Sequence, residues 1–210
     1  MTNTAYHLKV ILLAAGKSER FNGVKLLAKL TPQNTSITLI EHALTEISTA
    51  LNKVNMNAKN MHVATGRYHA EISEKAAKIY TFDFCKDADL GLGHTISQSV
   101  KNVTSQNKNV SHIMIALADQ VALVADDYLA LIQQFFALPN KLVCAKAGQE
   151  IMPPAIFPAA YFSELMALKG DKGAKPILYA NIENLETVNI THAERDIDTQ
   201  QDLASWYKDK

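Results

Sequence analysis

Cysteine is scarce. The 210-residue chain has two, Cys85 and Cys144, far apart and in no C-x-x-C or paired Cys/His spacing. That excludes a disulfide scaffold and a structural zinc site, and both thiols are expected to be small buried groups. Neither sign of charge is in surplus: 21 Lys and Arg face 21 Asp and Glu, for a formal net charge of zero. A broad nucleic-acid footprint needs a basic excess, so nucleic acid is not an expected partner, and any phosphate must be held by local placement of charge. No apolar run reaches membrane-spanning length, and the polar start Met1 to His7 lacks a signal-peptide pattern; no membrane partner and a cytoplasmic location are expected. The seven histidines show no H-x-x-x-H spacing, and none is assigned to a metal. Without a G-x-G-x-x-G after the first apolar run, a dehydrogenase is disfavoured. No internal repeat or low-complexity stretch is visible.

What remains is an ordinary globular composition, 48% hydrophobic and 20% charged, at a length that fits one domain over residues 1–210. Its most informative stretch is the first. The β-branched and aliphatic run Val10 to Leu13 ends on Ala14, Ala15 and Gly16, and Lys17, Ser18, Arg20 and Lys25 follow within one loop. Small residues let backbone N–H groups approach an anion, and the cations neutralise it. Gly16-Lys17-Ser18 has the look of a P-loop ending, yet that motif requires glycine where Ile11 stands.

Apolar periodicity sets out the rest of the chain. Ser36 is placed to cap a helix running to about Leu51, with Leu39, Ile40, Ala43, Leu44, Ile47 and Leu51 on one face. Met61 to Thr65 is a short strand ending at Gly66, and His69 to Ile79 a second helix. Tyr80 to Phe84 leads through a loop carrying Gly91 and Gly93 into a helix from about Thr95 to Val103, whose N-terminus would offer free N–H groups. Ser111 to Ala118 is the clearest buried strand and ends on Asp119. Asp126 and Asp127 cap a helix to about Leu138, and Leu142 to Ala145 is a strand. Three prolines make Gly148 to Pro158 an expected extended loop with at most an edge strand at Ala155 to Phe157. Later come a helix at Tyr161 to Leu168, a charged glycine loop at Gly170 to Lys175, a strand at Leu185 to Ile190 and a last helix capped by Thr199. This rhythm predicts an α/β fold with a mostly parallel, right-handed crossover sheet whose ligands lie outside the carboxyl ends of its strands.

Leu13-Ala-Ala-Gly-Lys-Ser-Glu-Arg-Phe-Asn-Gly-Val-Lys25 resembles the L-A-A-G-x-S-x-R-x-G-x-x-K signature of nucleotidyltransferases with a MobA-like NTP-transferase domain, with a one-residue offset at Gly23. The likeness runs through most of the chain and is nearest the MocA-like branch. That branch's G-D-x-P stands here as Ala118-Asp119-Gln120-Val121, its N-x5-G-x3-S as Cys85, Gly91 and Thr95, and its G-[HN]-P-x-x-F as Met152-Pro153-Pro154-Ala155-Ile156-Phe157. G-D-x-G-A-R is present as Gly170 to Lys175, and D-[IV]-D-T-P-x-D-L as Asp196 to Leu203 without its proline. The resemblance implies a three-layer α/β/α, Rossmann-like fold of the nucleotide-diphospho-sugar transferase type. It also implies an enzyme moving a nucleotide from CTP or GTP to a phosphorylated acceptor of the molybdopterin kind, with release of pyrophosphate. Lys25, Arg20 and Asp119 would be catalytic. Ala14, Ala15, Gly16, Lys17, Ser18, Thr65, Gly66, Gly91 and Thr95 would line the nucleotide, and Asp119 and Asp198 would hold Mg²⁺. Asp196 reads as the capping or salt-bridge member of the Asp196/Asp198 pair. A transient contact with a molybdoenzyme or its chaperone, and a sugar phosphate or other small phosphorylated acceptor, follow from the same likeness. So does an accessory protein that binds nucleotide without turnover.

Overall fold

The apolar runs and amphipathic stretches alternate as strands and helices in the computed structural model, which describes residues 6–30, 37–76 and 79–208. In chain order the elements are β1 (Leu8–Ala14), α1 (Leu39–Lys53), β2 (Met61–Thr65), α2 (His69–Lys75), β3 (Thr81–Phe84), α3 (Leu92–Gln106) and β4 (His112–Leu117). They continue as α4 (Ala125–Ala137), β5 (Leu142–Ala147), β6 (Glu150–Pro158), α5 (Phe162–Met166), α6 (Lys175–Ala180), β7 (Leu185–Asn189) and α7 (Gln200–Lys208). The seven strands form one sheet in the order β3-β2-β1-β4-β6-β5-β7. β1 pairs in parallel with β2 and β4, and β5 pairs in parallel with β7. Only β6 runs against its neighbours, β4 and β5.

Strand alternation divides the interior into two cores, giving the three-layer α/β/α arrangement. Val10, Leu12, Val63, Met114 and Val143 pack on one face with α1, α4 and α7, while Ile11, Leu13, Ile113, Ile115 and Phe157 pack on the other with α3, α5 and α6. Both faces of β1 and β4 are therefore dry, which is why their sequences are continuous apolar runs. Each fully buried leucine, isoleucine or phenylalanine contributes about 1.5–3 kcal/mol, which makes these strands a rigid frame for the loops at their ends. Among the described residues no helix is long and apolar enough to cross a membrane.

Several sequence expectations change. The helix expected to run to Ile79 ends at Lys75, and α4 begins at Ala125, ahead of the Asp126 and Asp127 expected to cap it. The expected Ser36 cap lies outside the described residues; Thr38 caps α1 through a reciprocal box, its N–H donating to the Glu41 carboxylate at 2.8 Å. The helix expected from Thr95 begins at Leu92, so Thr95 lies a full turn inside α3. Gly148 to Pro158, expected as a loop with at most an edge strand, contains the nine-residue interior strand β6. Its prolines are tolerated by a bulge. Cys144 pairs with Ala155 and Ala145 with Met152, so Pro153 and Pro154 fall in the register shift where no ladder N–H is required.

Candidate active site

The parallel strands β1 and β4 end side by side, and the loops leaving them build the site. After Ala14 the chain turns through Ser18, at φ 55°, and then Asn22, at φ 55°, and Gly23, at φ 138°. Asparagine tolerates the left-handed region well, so Asn22 and Gly23 together supply the turn that the signature assigns to one glycine. The Ser18 hydroxyl accepts the Lys25 N–H at 3.1 Å, and the buried Phe21 anchors the tip. The Tyr68 hydroxyl donates to the Lys17 carbonyl at 3.3 Å, and the Gln200 amide, standing where the family has proline, donates to the Phe21 carbonyl at 3.0 Å. Among the described residues no hydrogen bond uses the N–H groups of Gly16, Lys17 or Ser18.

The second wall comes from β4 and from a segment nearly eighty residues further on. The Ile197 N–H donates to the Asp119 carbonyl at 3.2 Å. The Gln120 side-chain amide donates to the carbonyls of Ala193, at 2.7 Å, and Pro153, at 2.9 Å. Asp198 is further fixed by the start of α7, where the Asp202 carboxylate accepts the N–H groups of Asp198 and Thr199 and the Thr199 hydroxyl accepts the Asp202 N–H. Thr199 thus caps the last helix as expected.

These constraints place Asp119 and Asp198 around one ammonium. Lys25 Nζ donates to Asp119 Oδ2 at 2.6 Å and to Asp198 Oδ1 at 2.8 Å, and Arg20 donates to Asp198 Oδ2 at 2.6 Å. Burial alone would lower the Lys25 ammonium, but the two carboxylates outweigh it and hold it above its ordinary value. Asp198 is likewise pulled down by Lys25 and Arg20 against the opposing effect of partial burial. Asp196 differs: desolvation first, then Asp198 and Asp119, push its carboxyl up. Neither role expected of it is seen: it makes no ion pair among the described residues, and α7 is capped by Thr199 in a reciprocal arrangement with Asp202.

A cavity of about 590 Å³ unites most of the expected residues. Ala15, Gly16, Lys17, Ser18, Arg20, Lys25, Gly91, Thr95, Asp119 and Asp198 line it, joined by Asp171 of the Gly170 to Lys175 motif, to which the sequence assigns no role, and by Glu19, Ala88 and Leu92. Asp171 comes from the loop at Gly170, which packs on the start of α3: the Gly93 N–H donates to the Gly170 carbonyl at 2.8 Å, and His94 Nδ1 accepts the Gly170 N–H at 2.9 Å. The first turn of α3 is therefore partly consumed by this loop and does not present all its N–H groups as expected. Thr95 donates its hydroxyl to the Gly91 carbonyl at 3.3 Å, within its own helix.

Ala14, Thr65 and Gly66 do not line the cavity. Thr65 is fully buried, bonded to His69 Nδ1 at 2.6 Å and donating to the Asp83 carbonyl at 3.2 Å, so it ties β2 to β3 and α2. Gly66 lies beneath the floor. A side chain there would meet Ala88 Cβ at 2.9 Å and the Ala15 carbonyl at 3.0 Å, both belonging to residues that do line the cavity. Cys85, placed by the family pattern near a base, is buried behind it beside Ser99, and burial raises its thiol; Cys144 is buried as expected. Lys17 lines the cavity and lies 4.0 Å from Glu19.

The donor set of Asp119 and Asp198 is all oxygen and suits a hard divalent cation. Among the described residues no group of three or more His, Cys, Asp or Glu is arranged to hold a metal. Two carboxylates with phosphate oxygens and water completing the shell is the usual manner in which Mg²⁺ is held beside a nucleotide, so the residues present fit it.

Known proteins share this architecture. Purine catabolism protein PucB of Bacillus subtilis is 30% identical over 172 residues, covering 80% of this chain and 78% of that protein. Among solved structures, Rv0371c from Mycobacterium tuberculosis superposes with a TM-score of 0.79 at 18% identity, covering 98% of this chain and 99% of that one. A nucleotidyl transferase from Methanothermobacter, Mth528, gives a TM-score of 0.76 at 17% identity, covering 97% of each chain. The family model of the MobA-like NTP transferase domain matches residues 10–187, from β1 into β7 and ending ahead of Asp198. On that match and the PucB relationship, the chain belongs to the MobA-like NTP transferase domain family and is a nucleotidyltransferase.

Proposed function

We propose that this enzyme transfers a nucleotide from CTP or GTP, in the presence of Mg²⁺, to a phosphorylated acceptor of the molybdopterin type, releasing pyrophosphate. The observation that carries the reading is the Lys25 ammonium held between Asp119 and Asp198 in the same cavity as the open N–H groups of Gly16 to Ser18. Cations and backbone donors on one side, and paired carboxylates on the other, are what a metal-bound triphosphate requires. The acceptor class rests on the likeness to the MocA-like branch; the Gly170 to Lys175 and Asp196 to Leu203 runs follow that pattern, while Met152-Pro153 stands where the branch has Gly and His or Asn, and a sugar phosphate is the alternative acceptor.

In this reading the N–H groups of Ala15 to Ser18, with Arg20, hold the β- and γ-phosphates. Lys25 turns from its carboxylates to the α-phosphate, where charge accumulates as the acceptor attacks in line. Asp119 and Asp198 would hold the Mg²⁺. When bound, the ion neutralises the triphosphate and the departing pyrophosphate. Catalysis is then positioning and charge stabilisation, with no covalent enzyme intermediate. The Ala88, Gly91 and Leu92 end of the cavity, remote in sequence from the charged network and edged by Thr95 and Asp171, takes the nucleoside. The whole chain is read as one catalytic domain.

A pyrophosphate-release assay over the four NTPs, with molybdopterin and with sugar phosphates as acceptors, tests this. Release with molybdopterin and CTP or GTP is the expected result. Release only with sugar phosphates reassigns the acceptor, and nucleotide binding without release under any acceptor removes the reading.

A further inference from the structure

Lys25 has a partner arrangement that the transfer reaction by itself does not require. Its side chain is 11% exposed, and its ammonium touches both carboxylates, at 2.6 Å and 2.8 Å. Among the described residues Arg20, by contrast, reaches only Asp198, and its side chain is 72% exposed. Lys25 therefore occupies the place between Asp119 and Asp198 that a divalent cation would take, and it does so on the dry side of the pair.

Two like charges cannot share that space at low cost. A divalent ion that bound Asp119 and Asp198 with Lys25 in place would lie beside a buried ammonium with little water to screen the repulsion. Leaving is no easier for Lys25 alone, because a poorly solvated ammonium stripped of its acceptors would be uncompensated. A triphosphate resolves both difficulties at once: it gives Lys25 a new anionic partner and brings further oxygen ligands for the metal.

We propose that Lys25 is the resident counter-cation of the Asp119 and Asp198 pair, so that divalent metal and polyphosphate are taken up together and metal alone is refused. The proposal rests on the assignment of those two aspartates to the metal in the reading above. It adds a positioning role for Lys25 before the chemistry: keeping the two carboxylates together on one ammonium while the site is empty of substrate. Linkage makes the effect reciprocal: the factor by which polyphosphate strengthens metal binding is the factor by which metal strengthens polyphosphate binding.

The test is Mn²⁺ binding to the full chain, read by electron paramagnetic resonance, which needs no turnover and no knowledge of the preferred base. Mn²⁺ is titrated alone and with inorganic tripolyphosphate, into wild-type protein and into Lys25→Met. Wild type should bind Mn²⁺ alone weakly, and Lys25→Met should bind it about 10-fold more tightly or better. Tripolyphosphate should raise the affinity of wild type strongly and that of Lys25→Met much less. Lys25→Arg, which retains the charge, should behave as wild type, and Lys25→Gln replaces the methionine variant if that variant does not fold. Equal affinity of wild type and Lys25→Met for Mn²⁺ alone overturns the proposal. So does an absence of Mn²⁺ binding under every condition, which also removes the metal assignment. Pyrophosphate release with no measurable Lys25 effect on Mn²⁺ leaves the transferase reading standing and this one refuted.

Discussion

The Gln120 amide donates to the Ala193 carbonyl at 2.7 Å, joining the end of β4 to a segment 73 residues away. The same nitrogen donates to Pro153 in the β6 bulge at 2.9 Å, so one side chain locks three segments behind the carboxylates. With the Ile197 N–H on the Asp119 carbonyl, this link fixes how far Asp198 lies from Asp119. Gln120→Ala should cost about 1–3 kcal/mol of stability by leaving buried carbonyls without a donor. It should also lower turnover beyond what a stability loss explains at temperatures where the variant is fully folded. Thermal denaturation alongside pyrophosphate release decides it; wild-type turnover in a destabilised variant would show that Asp198 is held by other means.

Asp119→Ala should abolish transfer and leave the fold intact, because Lys25 keeps Asp198 as a partner and no buried ammonium is stranded. Lys25→Ala should be the more damaging change structurally, leaving two carboxylates facing each other. In single-turnover assays it should cost about 2–4 kcal/mol of transition-state stabilisation. An active Asp119→Ala overturns the metal assignment, and an unchanged single-turnover rate removes Lys25 from the chemistry.

Stability against pH follows from the directions of three shifts. Asp198 is depressed below the ordinary value of 3.8, so its contribution is complete above that value and is lost as pH falls through the depressed one. Lys25 is raised above 10.5, so its contribution is complete below 10.5 and disappears only in stronger alkali. Asp196 is raised, and its ionised form is a cost at neutral pH that protonation relieves. Asp196 is exposed, so water screens much of that cost. Asp196→Asn should therefore melt only slightly higher than wild type at pH 7 in metal-free buffer, with the difference shrinking as pH falls through the raised value and vanishing below 3.8. A melting temperature below wild type at pH 7 would show that neither desolvation nor the neighbouring Asp198 and Asp119 makes the ionised Asp196 a cost.

Local features of this site could be read from sequence and distant ones could not. The β1 loop and the Asp196 to Leu203 run declare themselves because turn formation and helix capping depend on residues a few positions apart. The joining of Lys25 to Asp119 and Asp198 spans 94 and 173 residues, and no spacing rule predicts which loop a lysine will meet. The family resemblance puts Thr65 and Gly66 beside the nucleotide, and both stand at the end of a parallel strand, where ligands collect in such sheets. That rule holds for β1 and β4, but at β2 the hydroxyl of Thr65 is taken by His69. Strand β6 is not legible in the sequence for a related reason: Pro153 and Pro154 exclude a regular strand unless they bulge out of the ladder, and the register that lets them do so is set by the pairing with β5.

Two glycines of the cavity wall should separate folding from binding. Gly91 sits at φ +116°, and a side chain there would come within 2.4 Å of the Gly170 carbonyl carbon and 2.5 Å of Asp171 Oδ1. Backbone cannot yield as a flexible side chain can, so Gly91→Ala should force the Gly170 loop away from α3 and lower the melting temperature. Gly16 has nothing within 4 Å of an added Cβ, and its φ lies outside the left-handed range that penalises a side chain. The fold does not need a glycine there, and Gly16→Ala should keep or slightly raise the melting temperature, by up to about 1 kcal/mol of stability through a less flexible unfolded chain. The open N–H groups of the loop face the cavity at that position, and a methyl group would hold a phosphate away from them. Gly16→Ala should therefore raise the KM for NTP with unchanged thermal stability, whereas Gly91→Ala should lose both together. A Gly16→Ala enzyme with wild-type KM would mean that the triphosphate does not rest on this loop, since the fold gives no other reason for a residue without a side chain at that point.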